Sequence, residues 1–247
     1  MAAATRSVLL ATVLAGLAIT SVAKSAAFDQ SFLSEPSRLQ QRTTGGMTDY
    51  VYAVPDFQAR FSKFPNGFFV DQPEVLVSPD SEYKGGKPED IAAVSTVMRD
   101  ALVERMSAGG YKLAGKAGPG VVVFRLALTD LSMKKKKRNL LAYTPVGAVV
   151  KVGADALRSM MDKVDITSMT LQAELLDGQT GEVMAAIAIP GDPSGKRLEF
   201  DDMQALVEEY SDRARCRIDN ARVPANQQID CFDKKARDAR APLPTQQ

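Results

Sequence analysis

The chain contains no histidine and no tryptophan. Without histidine the usual general base and the commonest transition-metal ligand are missing. Ser-His-Asp and Cys-His nucleophilic arrangements therefore cannot be built. The two cysteines cannot make up a zinc site without histidine or a second cysteine pair. Without an indole ring there is no tryptophan to stack a sugar. Neither a G-x-S-x-G elbow nor a phosphate-cradling P-loop occurs. Ser132-Met133-Lys134-Lys135 matches S-x-x-K only formally, because the helical start that motif needs is absent. Carboxylates are plentiful, but no pair stands out for acid–base work. These absences favour a non-enzymatic protein with no cofactor.

Charge of one sign is also missing. Thirty-one Lys and Arg face 30 Asp and Glu, a net charge of +1, so nucleic-acid binding driven by bulk charge is not expected. Hydrophobic residues make up 45% and charged residues 25% of 247 positions. Such a chain can build a core, as one domain with tails or at most two small domains.

The N-terminus has the three-part layout of a secretory signal peptide. Arg6 is its one early cation, residues 8–22 (VLLATVLAGLAITSV) are uncharged, and Ser25-Ala26-Ala27 precedes a cut before Phe28. The apolar run falls short of the roughly 20 residues of a spanning helix. Leu14-Ala15-Gly16 opens like a lipid-attachment box, but Leu17 stands where the acylated cysteine would be. The expected product is exported, not lipidated, and without a transmembrane segment. Cleavage removes Arg6 and Lys24 and no acid, so the mature part stays near neutral.

Cys216 and Cys231 are the two thiols, and both lie in the exported part. An even count in an oxidising compartment points to one disulfide. The expected organisation is a signal peptide (1–27), an extended arm (28–66), an α+β domain (67–220), and a disulfide-tethered, partly disordered tail (221–247).

Within the domain, residues 68–77 (FFVDQPEVLV) read as a strand, with Pro73 marking an edge or bulge. Pro88, Glu89 and Asp90 suit a helix start. Ile91, Val94, Met98 and Leu102 recur at helical spacing until Gly109-Gly110. A short strand is expected at 111–114. Residues 121–131 (VVVFRLALTDL) are the strongest strand, apolar on both faces and therefore central. Residues 133–162 read as a long connection. Residues 164–176 and 181–189 form a hairpin through Asp177-Gly178-Gln179-Thr180, which reads as a turn rather than a cation loop. A second helix spans 200–218, with Leu206, Val207, Tyr210, Ala214 and Ile218 on its buried stripe. The fold expected is α+β: a mixed or antiparallel sheet of about five strands with two main helices packed on one face.

Several of these segments carry a resemblance. They are Phe32-Leu33-Ser34, Ser37-Arg38-Leu39, Tyr52, Pro55, Val75-Leu76-Val77, Gly110-Tyr111, the run Val123 to Asp130, Glu174-Leu175-Leu176-Asp177 and Thr180-Gly181-Glu182. The chain resembles an uncharacterised family of bacterial secreted proteins, many of them lipoproteins, classed as a domain of unknown function. The resemblance implies a periplasmic or outer-membrane-associated location and brings no catalytic residues. The element order is also similar to that of small α+β domains of envelope assembly and transport-auxiliary lipoproteins.

Two features remain. Arg125 and Glu174 are expected to pair across the sheet as a structural contact. Lys134, Lys135, Lys136, Lys137 and Arg138 form a basic run beside Leu140, Leu141 and Tyr143. The run could hold an anionic membrane surface or an acidic envelope partner, or be a solvated loop. The role expected is binding or scaffolding in the cell envelope. The alternatives are a carrier of a small apolar ligand, which would show an apolar pocket, and a carboxylate-dependent hydrolase.

Overall fold

A computed structural model describes residues 28–44, 47–61, 63–64, 67–84, 88–135, 164–191 and 200–241. The segment read as a signal peptide, Lys136, Lys137, Arg138 and the connection that follows lie outside the described residues. The protein is α+β with a mixed sheet of seven strands. These are β1 (Gln40–Thr44), β2 (Met47–Ala53), β3 (Phe68–Val70), β4 (Glu74–Val77), β5 (Val122–Lys135), β6 (Val164–Asp177) and β7 (Val183–Pro190). Among the described residues four α-helices accompany them: α1 (Phe57–Phe61), α2 (Pro88–Ala108), α3 (Phe200–Ala221) and α4 (Lys234–Ala239). The strand order is β1-β2-β7-β6-β5-β3, with β4 also pairing β5. β3 and β4 run parallel to β5, and the other pairs are antiparallel.

The expectation of about five strands is corrected at both edges. β1 and β2 arise in the segment read as an extended arm. Their sequences, QQRTT and MTDYVYA, lack the clean alternation that marks a strand. They are strands because they extend a preformed edge: Val51 and Ala53 of β2 register with Ile187 and Ala185 of β7. At the other edge, the strand read over 68–77 splits around Pro73, which has no N–H for a ladder. The halves become β3 and β4, both on β5. The strand expected over 111–114 is reduced to a single bridge between Leu113 and Phe68.

β5 also runs further than expected, to Lys135, so Met133, Lys134 and Lys135 are strand rather than connection. Asp177 makes the β6–β7 turn with its own carboxylate, which accepts from the N–H of Gln179 at 2.8 Å and of Thr180 at 3.1 Å. Gly181 supplies the positive φ, +75°. These are the side-chain hydrogen bonds of an Asx-type turn.

Antiparallel partners share a face of the sheet. Phe124, Leu175, Ala185 and Ala53 are thus aligned on one side, and Arg125, Glu174, Ala186 and Tyr52 on the other. On the first side Phe124 and Leu126 cluster with Leu102 and Met106 of α2 and Ile218 of α3. Leu128, Leu131, Met133 and Ile166 cluster with Val94 and Met98 of α2. Each such fully buried large side chain contributes about 1.5–3 kcal/mol. On the second side Phe28, Phe32 and Leu33 cover Ala127, Ala186 and Ala188. The segment before β1 is therefore a packed cover on this face of the sheet.

An apolar cavity with an arginine-rich end

Between α3 and the sheet lies a cavity of about 990 Å³. Its cause is legible in the side chains. The walls carry Ala53, Ala173, Ala185 and Ala214, where larger residues would close the gap between helix and sheet. β7 reads VMAAIAIP, so the strand under the helix is unusually small. Leu206, Val207, Tyr210 and Ala214 form the expected α3 stripe, yet all four are only half-buried because they border this space. Leu126, Leu171, Ile187 and Ile189 form the floor, and Met98 and Leu102 of α2 close one side. The volume falls at the upper end of the range for small-molecule sites, about 300–1,000 Å³.

The cavity is polarised along α3. At its N-terminal half, Leu206 and Val207 pack with the Met98, Leu128 and Met169 cluster. At its C-terminal half the lining includes Arg213 and Arg217, joined by Arg42 from β1. Two arginines share one buried carboxylate here. Arg42 Nη2 and Arg217 Nη2 each lie 2.8 Å from Oδ2 of Asp49, which is 2% exposed. A second shared acid, the half-buried Glu209, adjoins it: Arg213 donates to it at 2.8 Å and Arg237 at 2.5 Å. Burial lowers the Arg217 pKa; Asp49 opposes this, while Arg42 and Arg213 add to it. Tyr210 is raised, chiefly by burial.

The end of α3 is tied down by the tail. Cys216 and Cys231 form the expected disulfide. Asn220 Nδ2 donates to the Ile229 carbonyl at 2.8 Å, and the Ile229 N–H donates back to Asn220 Oδ1 at 3.1 Å. Within the tail, residues 234–239 fold as α4, capped by Asp233, whose side chain accepts from the Lys235 N–H. Phe232 lies under the guanidinium groups of Arg213 and Arg217, at 5.0 and 5.6 Å.

The carboxylates in and beside the cavity are already engaged. Glu174 accepts from the Ser34 N–H at 2.6 Å, from Ser34 Oγ at 2.9 Å and from Arg125 at 2.9 Å, and Asp49 is held as above. Of the basic run, the two described residues, Lys134 and Lys135, do not line this site. Lys134 pairs with Glu82 at 2.9 Å, and Lys135 sits 5.5 Å over the Tyr83 ring. Sequence reasoning did not single out Arg42, Arg213 or Arg217. The available signal was periodicity: Arg217 falls on the same stripe as Val207, Tyr210 and Ala214, a cation placed on an apolar face. Among the described residues no helix is long and apolar enough to cross a membrane.

Residues 29–212 match the family described as "Protein of unknown function (DUF3313)". No curated protein matches the chain. Among solved structures, the chain is similar to two of PelC dodecamers from Paraburkholderia phytofirmans. One, of a point variant, is 12% identical with a TM-score of 0.31, over 65% of this chain and 91% of that one. The other is 9% identical with a TM-score of 0.30, over 69% of this chain and 93% of that one.

Proposed function

The chain belongs to the DUF3313 family, proteins of unknown function, and within it we propose a non-enzymatic binding protein of the cell envelope that carries an apolar ligand between α3 and the sheet. The observation that supports this reading is the cavity itself. Space of about 990 Å³ walled by alanine, leucine and isoleucine has the size and lining of a site for an apolar molecule. Of the two binding roles suggested by the sequence, scaffold and carrier, the cavity favours the carrier. The envelope location rests on the N-terminal segment and on the disulfide, which suits an oxidising compartment. A hydrolase would need two acids in contrasting environments facing a cleft. Here Glu174 and Asp49 are spent on arginines and on Ser34.

Titration with the neutral fluorophore N-phenyl-1-naphthylamine tests the carrier role. Saturable binding is expected, with loss in Ala185→Trp, which fills the cavity from its floor. Thermal melting checks that the variant is folded. Absence of binding in the parent protein, or equal binding in a folded variant, would contradict the reading.

A further inference from the structure

We infer that the ligand is a single-chain anionic amphiphile, a fatty carboxylate, lying along α3 with its head group at Arg213 and Arg217 and its tail towards Leu206 and Met169. The inference rests on the carrier reading and adds the ligand's chemistry to it. Three observations carry it. First, the cavity has two chemically different ends on one helix: the cluster around Met98, Leu128 and Met169 at one, and Arg42, Arg213 and Arg217 at the other. From Leu206 to Arg217 the helix advances about 16 Å, the reach of a medium to long acyl chain. Second, the arginines at this end share their acids: Asp49 serves both Arg42 and Arg217, and Glu209 serves both Arg213 and Arg237. Asp230 also acts on Arg42 from nearby. Third, guanidinium is the group whose planar fork matches a carboxylate, and burial beside apolar walls strengthens that attraction. Burial and the neighbouring arginines also disfavour the charged form of Arg217, a situation an arriving anion would relieve.

Three probes of graded chemistry test the inference by calorimetry on the mature protein: dodecanoate, dodecan-1-ol and acetate. Dodecanoate is expected to bind roughly tenfold tighter than the alcohol, the size of one charge-assisted hydrogen bond, and acetate not measurably. Arg217→Gln should erase most of the difference between acid and alcohol. Asp49→Asn, which frees both arginines with little change of shape, should widen it. If Arg217→Gln fails to fold, the Asp49→Asn ratio decides. Equal binding of acid and alcohol in the parent, or an Asp49→Asn ratio no larger than the parent's, would overturn the head-group assignment and leave the carrier reading standing. Acetate binding as tightly as dodecanoate would make the site an anion site and overturn the amphiphile. If none of the three binds, both readings fall.

Discussion

Arg125 and Glu174 stand opposite each other in the β5–β6 register, and Arg125 Nη1 lies 2.9 Å from Oε2 of a glutamate that is 1% exposed. The pair joins the sheet to the N-terminal cover. Glu174 also holds the N-terminal cover through Ser34, and Arg125 lies 4.6 Å over the Phe32 ring and 3.5 Å from Glu74 of β4. Removing the cation leaves a buried carboxylate with only Ser34 to satisfy it. Arg125→Ala should therefore cost about 3 kcal/mol, and Glu174→Gln a smaller 1–2 kcal/mol or so. Urea denaturation measures both. Each variant should also expose the segment before β1 to faster proteolysis. A cost below about 0.5 kcal/mol for both would remove the pair from the account of stability.

The disulfide joins residues 15 apart, so the chain-entropy model assigns it about 3 kcal/mol. Reduction should lower the denaturation midpoint accordingly. The loss should be local first. Hydrogen exchange should rise in the segment between Cys216 and α4 while amides of β5 and β6 stay protected. Uniform loosening of the sheet on reduction would show that the tail does more than anchor α3.

Tyr111 is buried, and its hydroxyl donates to Asp219 at 2.5 Å. Burial, above all, raises its pKa well beyond the ordinary value of 10.0. The sign follows directly: in the unfolded chain the phenol ionises near pH 10, while in the folded chain it stays protonated. Unfolding thus releases a proton, and stability present below that pH falls as pH rises above it. Tyr210, also raised by burial, acts in the same direction. Tyr111→Phe should cost about 1 kcal/mol at neutral pH and flatten part of the decline between about pH 9 and 11. An equally steep decline in the variant would assign the effect elsewhere.

Tyr52 carries a buried hydroxyl that has no hydrogen-bond partner among the described residues, with the Arg38 guanidinium 4.2 Å from its ring centre. An unsatisfied buried hydroxyl is a cost, not a contribution. Tyr52→Phe should be neutral or stabilising by up to about 1 kcal/mol, measured by thermal melting. A loss of more than about 1 kcal/mol would mean that the hydroxyl has a partner in solution.

The sequence made the core elements legible and the edges obscure, for physical reasons. Residues 121–131 announce themselves because both faces of β5 are buried, and the α2 stripe because Val94, Met98 and Leu102 all meet the sheet. Arg125 and Glu174 were paired in advance because opposite charges inside apolar strands have few other partners. β1 and β2 were missed because polar residues such as Gln41 and Thr43 point to solvent there, and tertiary pairing overrides weak local preference. The cavity was invisible for a different reason. Alanines read as ordinary apolar positions one at a time, and only the register of β7 against β2 and β6 places Ala53, Ala185 and Leu175 in one row beneath α3. Arg217 is the residue whose position on an apolar stripe most deserved weight from the start.

The most direct measurement is mass spectrometry of small molecules released on denaturing the protein after purification without detergent. The account predicts a fatty acid in near-equal molar amount, absent from the folded Ala185→Trp variant. A protein that yields no such species, and takes none up when supplied with fatty acids, would contradict it.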